Sequence, residues 1–398
     1  MKKFLALAFA ALFSTSALAA EFGLKNFEFY GEGLVTGFSV SNSYDTTPPT
    51  NMGFVNTMNI LGVKFDVSDN IYANIAAGYV ANWGDYSMFY GVPTYGKTVQ
   101  DYWYEIRIVE ANLLFKDLFD CNKLSAKVGR QFYGDGDSMV MYFGPATNRF
   151  AFGADVYSLD ALTLYYDNEN IKANAVYANI YDQSGNSYSS GNETIMGFDI
   201  KYAAHEMFDV QAYLYDTENY YSTTRHNTLV GIKPAVKIDG FKASVELAKQ
   251  FAGEQVFSDD ETAYNTNFIK VDASFEIEKF TPRAMFFVGG GEGKTFRDFG
   301  TFAPGLIYSN TILNSDEQII NAGVDYKHND KLTLFFDFFN FAQRDGDGKF
   351  GNELNLKARY QYTENVGINA GYGYFIADDK FIKDYDSSMW VLGVDYKF

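Results

Sequence analysis

The sequence predicts an all-β chain: a transmembrane antiparallel β-barrel of about eighteen strands, with short turns on one rim and long loops on the other. Three observations carry that expectation. Apolar and polar residues alternate with period two, the connections alternate between short and long, and the chain closes on an alternating stretch that ends at Phe398.

The first residues stand apart from that pattern. Lys2 and Lys3 precede an apolar run over residues 4–13, and small residues follow, ending in Ala17-Leu18-Ala19. This is the charge, apolar core and A-x-A order of a secretory signal peptide. Residues 1–19 are expected to be cleaved, leaving residues 20–398 as one barrel domain. Removing two lysines and no acid takes the formal charge of −18 to −20, a balance that disfavours nucleic acid and anionic surfaces as partners. No later stretch offers the roughly twenty consecutive apolar residues of a membrane-spanning helix. A hydrophobic content of 47% with 18% aromatics fits a barrel in which alternate residues face water. The one cysteine, Cys121 in "KDLFDCNK", excludes an intrachain disulfide and reads as a turn residue, with no basic cluster beside it to activate a thiol.

Strands are read in order from the alternation. They are expected to begin near Phe27, Phe54, Ile71, Trp103, Leu124, Gly153, Ile171, Thr194, Met207, His226, Phe241, Thr262, Thr281, Asp316, Lys331, Asn352, Asn365 and Ser387. Three segments show the reason most plainly. "GFKASVELAKQF" sets Lys242, Ser244, Glu246 and Gln250 against Phe241, Ala243, Val245 and Leu247. "FIKVDASFEIEK" sets Lys270, Asp272, Ser274 and Glu276 against Ile269, Val271, Ala273 and Phe275. "ELNLKARYQY" sets Glu353, Asn355, Lys357, Arg359 and Gln361 against Leu354, Leu356, Ala358, Tyr360 and Tyr362. Period two of this length is a strand with one wet and one apolar face. "SDN" (68–70), "DNEN" (167–170), "AHE" (204–206), "DG" (239–240), "HND" (328–330) and "TEN" (363–365) are short turns, whereas 83–102, 181–193 and 291–315 are long. A soluble sandwich would need a second apolar surface, and the polar faces carry too many charges for that. In "SMWVLGVDYKF", Trp390, Leu392, Val394, Tyr396 and Phe398 share one face, which resembles the assembly signal of outer-membrane barrels and implies the barrel assembly machinery as a partner.

One stretch carries a family likeness. "GRQFYGDGDSMV" (129–140) followed by "NRFAFGADVYSL" (148–159) resembles the signature of the alginate export family, whose members form eighteen-stranded barrels that move an anionic polysaccharide through a charged lumen. The resemblance implies Arg130 and Gln131 as lumen groups of a constriction, Asp135 and Asp137 as loop acids, and Arg149 as the base entering the next strand. Strand phase alone points Arg130 outward, so either it lies near the rim or a bulge around Gly129 turns it inward; the bulge is the favoured expectation. The chain departs from the family in having only eight Arg and a large acidic excess.

Strand phase nominates a mixed inner wall. Lys64, Arg107, Lys127, Lys172, Lys201, Lys233, Lys242, Lys270, Arg283, Lys327, Lys357 and Arg359 are its expected bases. Glu105, Asp199, Asp209, Glu246, Asp272, Glu276, Asp325, Asp337 and Glu353 are its expected acids. Opposed acids and bases suit hydrated polar solutes, or else pair to hold the barrel together. "YGDGDS" and "RDGDGKFGNE" read as Asp/Gly loop turns, because Lys349 breaks the calcium-loop pattern and two acids repel phosphate; no cofactor or metal is expected. His205, His226 and His328 have no evident nucleophile, so no enzyme is expected. The functional expectation is an outer-membrane channel for polar or charged solutes, small molecule or polysaccharide. Alternatives are a nutrient porin and a non-conducting adhesin using Tyr-rich loops such as "NYYSTTR" (219–225). Outer-membrane lipid and lipopolysaccharide are the expected surroundings, and a monomer is favoured over a trimer.

Overall fold

A computed structural model describes residues 24–43, 50–84, 104–136, 138–150, 156–180, 193–219, 226–253, 264–290, 305–307, 317–344, 348–378 and 386–398. The leader at 1–19, Asp137 and the segment "NYYSTTR" beyond Asn219 lie outside these residues. Within them the alternation forms eighteen strands: β1 (Lys25–Ser43), β2 (Thr50–Ser68), β3 (Ile71–Gly84), β4 (Tyr104–Phe115), β5 (Leu124–Gln131), β6 (Leu159–Asp167), β7 (Ile171–Ile180), β8 (Glu193–His205) and β9 (Phe208–Asn219). The second half comprises β10 (His226–Ile238), β11 (Phe241–Gly253), β12 (Tyr264–Phe275), β13 (Phe280–Gly290), β14 (Glu317–Lys327), β15 (Leu332–Gln343), β16 (Lys349–Thr363), β17 (Val366–Ala377) and β18 (Ser387–Lys397).

Each strand runs antiparallel to its sequence neighbours, and β18 pairs back onto β1 from Glu32↔Lys397 to Ser41↔Ser388. The sheet is therefore a closed barrel without an edge, the sheet architecture that satisfies every backbone group inside a bilayer. Closure reaches the last residue: Phe398 N–H donates to Gly31 O at 2.9 Å and Gly31 N–H to Phe398 O at 3.0 Å. A Cβ at position 31 would sit 2.6 Å from the Phe398 ring, so glycine there lets the terminal ring lie close against β1.

One rim is made of tight turns, such as Asp239-Gly240 and Glu364-Asn365; its longest connection, between β4 and β5, holds a 3-10 turn at Leu118–Asp120. The expected strand starts hold within four residues except at β6, which begins at Leu159 rather than Gly153. There Val156 makes only an isolated bridge to Pro145, so the ladder starts three residues later. Outward positions are apolar and exposed, as with Met196, Phe198, Ile200 and Tyr202 along β8, while Ile195 and Asp199 between them are buried inside. That inside-out distribution is what a lipid-facing wall requires.

Candidate pore constriction

The interior is not an empty tube, because the chain leaves the wall after β5 and turns inward. Tyr133 and Phe143 exchange a pair of 2.8 Å backbone hydrogen bonds, and Met139, Val140, Met141 and Phe143 between and beside them are buried. Residues 132–136 and 138–150 thus form a strap across the lumen.

The departure point is built from "GRQ". Gly129 adopts φ +115°, with Ala111 O only 2.3 Å from where a Cβ would lie, so a side chain is excluded. The β4–β5 ladder nonetheless runs in register through Asn112↔Gly129 and Ala111↔Arg130. This corrects the expectation for Arg130. No bulge interrupts the alternation, so Arg130 shares the outward face with Val128 and Leu162. There its Nε and Nη2 donate to the two carboxylate oxygens of Asp160 at 2.8 and 2.7 Å, and Nη1 donates to Ile108 O at 3.2 Å. Ile108 lies above Ala111, the uppermost β4 residue that pairs with β5. The guanidinium therefore caps the Ile108 carbonyl above the last β4–β5 pair and ties β4 to β6 across the gap. Ser158 Oγ donates to Val109 O at 2.6 Å on the same seam. Gln131 points inward, fully buried, and its Nε2 donates to Ala161 O at 2.9 Å.

The strap is docked on both sides. On one side Phe132, Ala146 and Val156 pack against Leu34, Met58, Ile60, Ala76 and Val109, the apolar inner faces of β1 to β4. On the other, it is held by polar anchors. Tyr133 Oη donates to Asp199 Oδ2 at 2.9 Å, and Tyr215 Oη and Asn174 Nδ2 donate to the same carboxylate at 3.1 and 3.0 Å. Arg149 Nε lies 3.2 Å from Asp395, which also holds Arg359 through a two-pronged contact at 2.6 and 3.1 Å. Phe150 meets Phe335 edge-on at 6.4 Å, and the Lys357 ammonium lies over both rings. Burial beside Glu32 pushes the Tyr142 phenol up to about 12, so it stays a neutral donor to Pro145 O. Residues 305–307 form a second inward turn, whose Leu306 and Ile307 N–H groups both donate to Glu353.

Between strap and wall, on the side of β8 to β16, lies a cavity of about 800 Å³. Its lining holds seven bases (Lys201, Lys233, Lys237, Lys242, Lys270, Arg283 and Lys357) against four acids (Asp135, Asp209, Asp272 and Asp337). Asp337 is enclosed, 2.6 Å from Arg283 and 3.0 Å from Lys357; Arg283 also reaches Asp325 at 2.7 Å. Lys270 meets Asp272 at 3.0 Å, and Lys201 meets Asp209 at 3.7 Å. Four lining bases (Lys201, Lys270, Arg283 and Lys357) and three lining acids (Asp209, Asp272 and Asp337) therefore pair locally, and the lining keeps a surplus of bases.

Of the residues nominated from sequence, Lys201, Asp209, Lys233, Lys242, Lys270, Asp272, Arg283, Asp337 and Lys357 lie together on this cavity, with Asp135 of the strap opposite. Asp199 and Arg359 sit behind the strap as anchors. Lys127 lies over the Tyr165 ring, Lys172 meets Asp167 at 3.6 Å near the short-turn rim, and Arg107 on β4 pairs with Gly78 of β3; all three are away from the cavity. Sequence reasoning missed Lys237, Tyr133, Tyr215 and Asp395. Asp395 could have been found, since it alternates with Val394 and Tyr396 in the last strand.

No protein-family model and no curated protein sequence matches the chain, so the alginate-family resemblance finds no support there. Solved structures match the fold over almost the whole length. Acinetobacter baumannii OccAB4 is 12% identical with a TM-score of 0.63, covering 93% of this chain and 98% of that one. Pseudomonas aeruginosa OpdL is 10% identical with a TM-score of 0.65, covering 94% and 99%. P. aeruginosa OpdK, solved with vanillate, is 9% identical with a TM-score of 0.63, covering 93% and 99%.

Proposed function

We propose that the chain is an outer-membrane channel through which small polar and charged solutes diffuse between the strap and the β8–β16 wall, with a preference for anions. The observation that carries this reading is the roughly 800 Å³ cavity with seven bases and four acids on its lining. In a narrow lumen with low-dielectric walls such a surplus draws in anions and repels cations. The net negative charge of the chain does not oppose this, because the field at the constriction is set by groups within about 8 Å, the Debye length at physiological salt.

The fold shared with OpdK supports the reading, and that structure's bound vanillate is a small carboxylate. Polysaccharide export is the weaker reading. The strap narrows the lumen, and Arg130, the base that the family resemblance would set in the constriction, faces outward on Asp160. The exposed apolar outer wall supports residence in the outer membrane, and the leader read at residues 1–19 supplies the route there. Purified protein in planar bilayers tests the proposal. Discrete current steps with an anion-selective reversal potential under a KCl gradient are expected. Absence of current would favour a non-conducting surface barrel, and cation selectivity would refute the role given to the basic wall.

A further inference from the structure

At the short-turn end of the cavity two lysines face each other without an acid between them. Lys237 on β10 and Lys242 on β11 are direct cross-strand partners, flanking the two-residue turn Asp239-Gly240, and both line the cavity. Directly opposed Cα atoms lie about 4.5–5.5 Å apart, and like charges so placed destabilise a sheet. Folding alone does not call for such a pair. Along the same hydrogen-bonded row, Lys242 faces Ser274 on β12 and Ser274 faces Arg283 on β13; Ser244 stands two residues further along β11 on the same face.

Asp239 and Glu276 stand at the rim, Glu276 with its backbone N–H on Gly240 O, and among the described residues neither pairs with either lysine; the remaining acids nearby are engaged elsewhere. Asp209 meets Lys201 at 3.7 Å, Asp272 meets Lys270 at 3.0 Å, and Glu246 meets Lys233 at 3.8 Å. Asp325 and Asp337 are held by Arg283 at 2.7 and 2.6 Å. Among the described residues, neither Lys237 nor Lys242 makes an ion pair, and the hydroxyls of Ser244 and Ser274 have no hydrogen-bond partner. Two uncompensated ammonium groups and two hydroxyl donors therefore converge on one open face.

We infer that Lys237, Lys242, Ser244 and Ser274 form a binding site for a dianionic oxyanion of the phosphate-monoester class at the short-turn mouth of the lumen. Two positive point charges match a dianion, whereas a monocarboxylate would leave one unbalanced. Lysine serves phosphate as a point charge, and hydroxyls complete a tetrahedral oxygen set. The inference deepens the channel reading by naming a solute class, and its test is kept separate from conduction.

The test is calorimetric titration of the detergent-solubilised full chain with glycerol 2-phosphate at constant ionic strength, with acetate and succinate as comparison arms. Saturable phosphate-ester binding is expected at pH 7.5. It should weaken at pH 5, where an ester with a second pKa of about 6 is a monoanion. Lys237→Ala and Lys242→Ala should each weaken it about tenfold, the effect of losing one charge-assisted contact. Removing like-charge repulsion leaves folding intact, which heat-modifiable gel mobility checks. Should one of the two variants fail to fold, the other alone carries the test. Binding of succinate as tight as the ester would overturn the phosphate assignment. No saturable binding, or binding indifferent to both substitutions, would overturn the site. A barrel that binds the ester but passes no current would refute the channel and leave this site standing.

Discussion

Arg130 offers the sharpest test of how the wall is held where β5 departs. Leucine at this position removes three hydrogen bonds: two to Asp160 and one to Ile108 O. An uncapped carbonyl costs about 1–3 kcal/mol. A lone outward aspartate between the midplane and the interface adds up to about 1 kcal/mol, so Arg130→Leu should cost about 1–4 kcal/mol. Asp160→Leu leaves an unpaired guanidinium on the same face, at about 1–3 kcal/mol for a level between midplane and interface. The double variant retains only the uncapped carbonyl and should cost about 1–3 kcal/mol, less than the sum of the singles. The interaction energy, the lone aspartate plus the unpaired guanidinium, is then about 1–4 kcal/mol in favour of the pair. Urea unfolding in phospholipid vesicles, followed by tryptophan fluorescence, measures all four barrels. Strict additivity, or singles without effect, would refute the clamp and return Arg130 to an ordinary surface position.

Three other outcomes follow from the same geometry. Gly129→Ala should destabilise the barrel by about 1–3 kcal/mol, since φ +115° is strained for any side chain and the Cβ meets Ala111 O; the same vesicle unfolding reads it. Asp395→Ala frees Arg149 and Arg359 together, so single-channel recordings should show a larger and noisier open current as the strap loses an anchor. Asp337→Leu strips Arg283 and Lys357 of their shared counter-charge, and the reversal potential should move further toward anion selectivity.

The barrel was legible because a wall strand repeats one rule along its length. "ELNLKARYQY" reads as β16 with every inward residue in phase, and "FIKVDASF" does the same for β12. The strap was only partly legible. "MVMYF" (139–143) breaks the alternation, yet its docking surface is non-local: Leu34, Met58 and Ile60 turn apolar side chains inward from β1 and β2, where a water-filled lumen would take polar ones. Those apolar inner faces are the sequence signal that a segment must cover them. Arg130 was misplaced because a bulge was invoked at Gly129 to spare an outward charge. The compensating partner, Asp160, lies thirty residues away and becomes adjacent only when β5 and β6 pair. Within the site, charge type was readable from phase, whereas the pairing of Asp337 with Arg283 and Lys357 depends on register across three strands.

The central claim is that solutes pass between the strap and the β8–β16 wall. Met285 and Phe286 are adjacent on β13 and face opposite ways: Met285 lines the cavity, and Phe286 is exposed on the outer wall. In a Cys121→Ser background, which removes the chain's one native cysteine, Met285→Cys and Phe286→Cys can each be treated with a negatively charged methanethiosulfonate during single-channel recording. The account predicts a stepwise fall in current and in anion selectivity for Met285→Cys and no change for Phe286→Cys. Unaltered current after confirmed modification of Met285→Cys would contradict it.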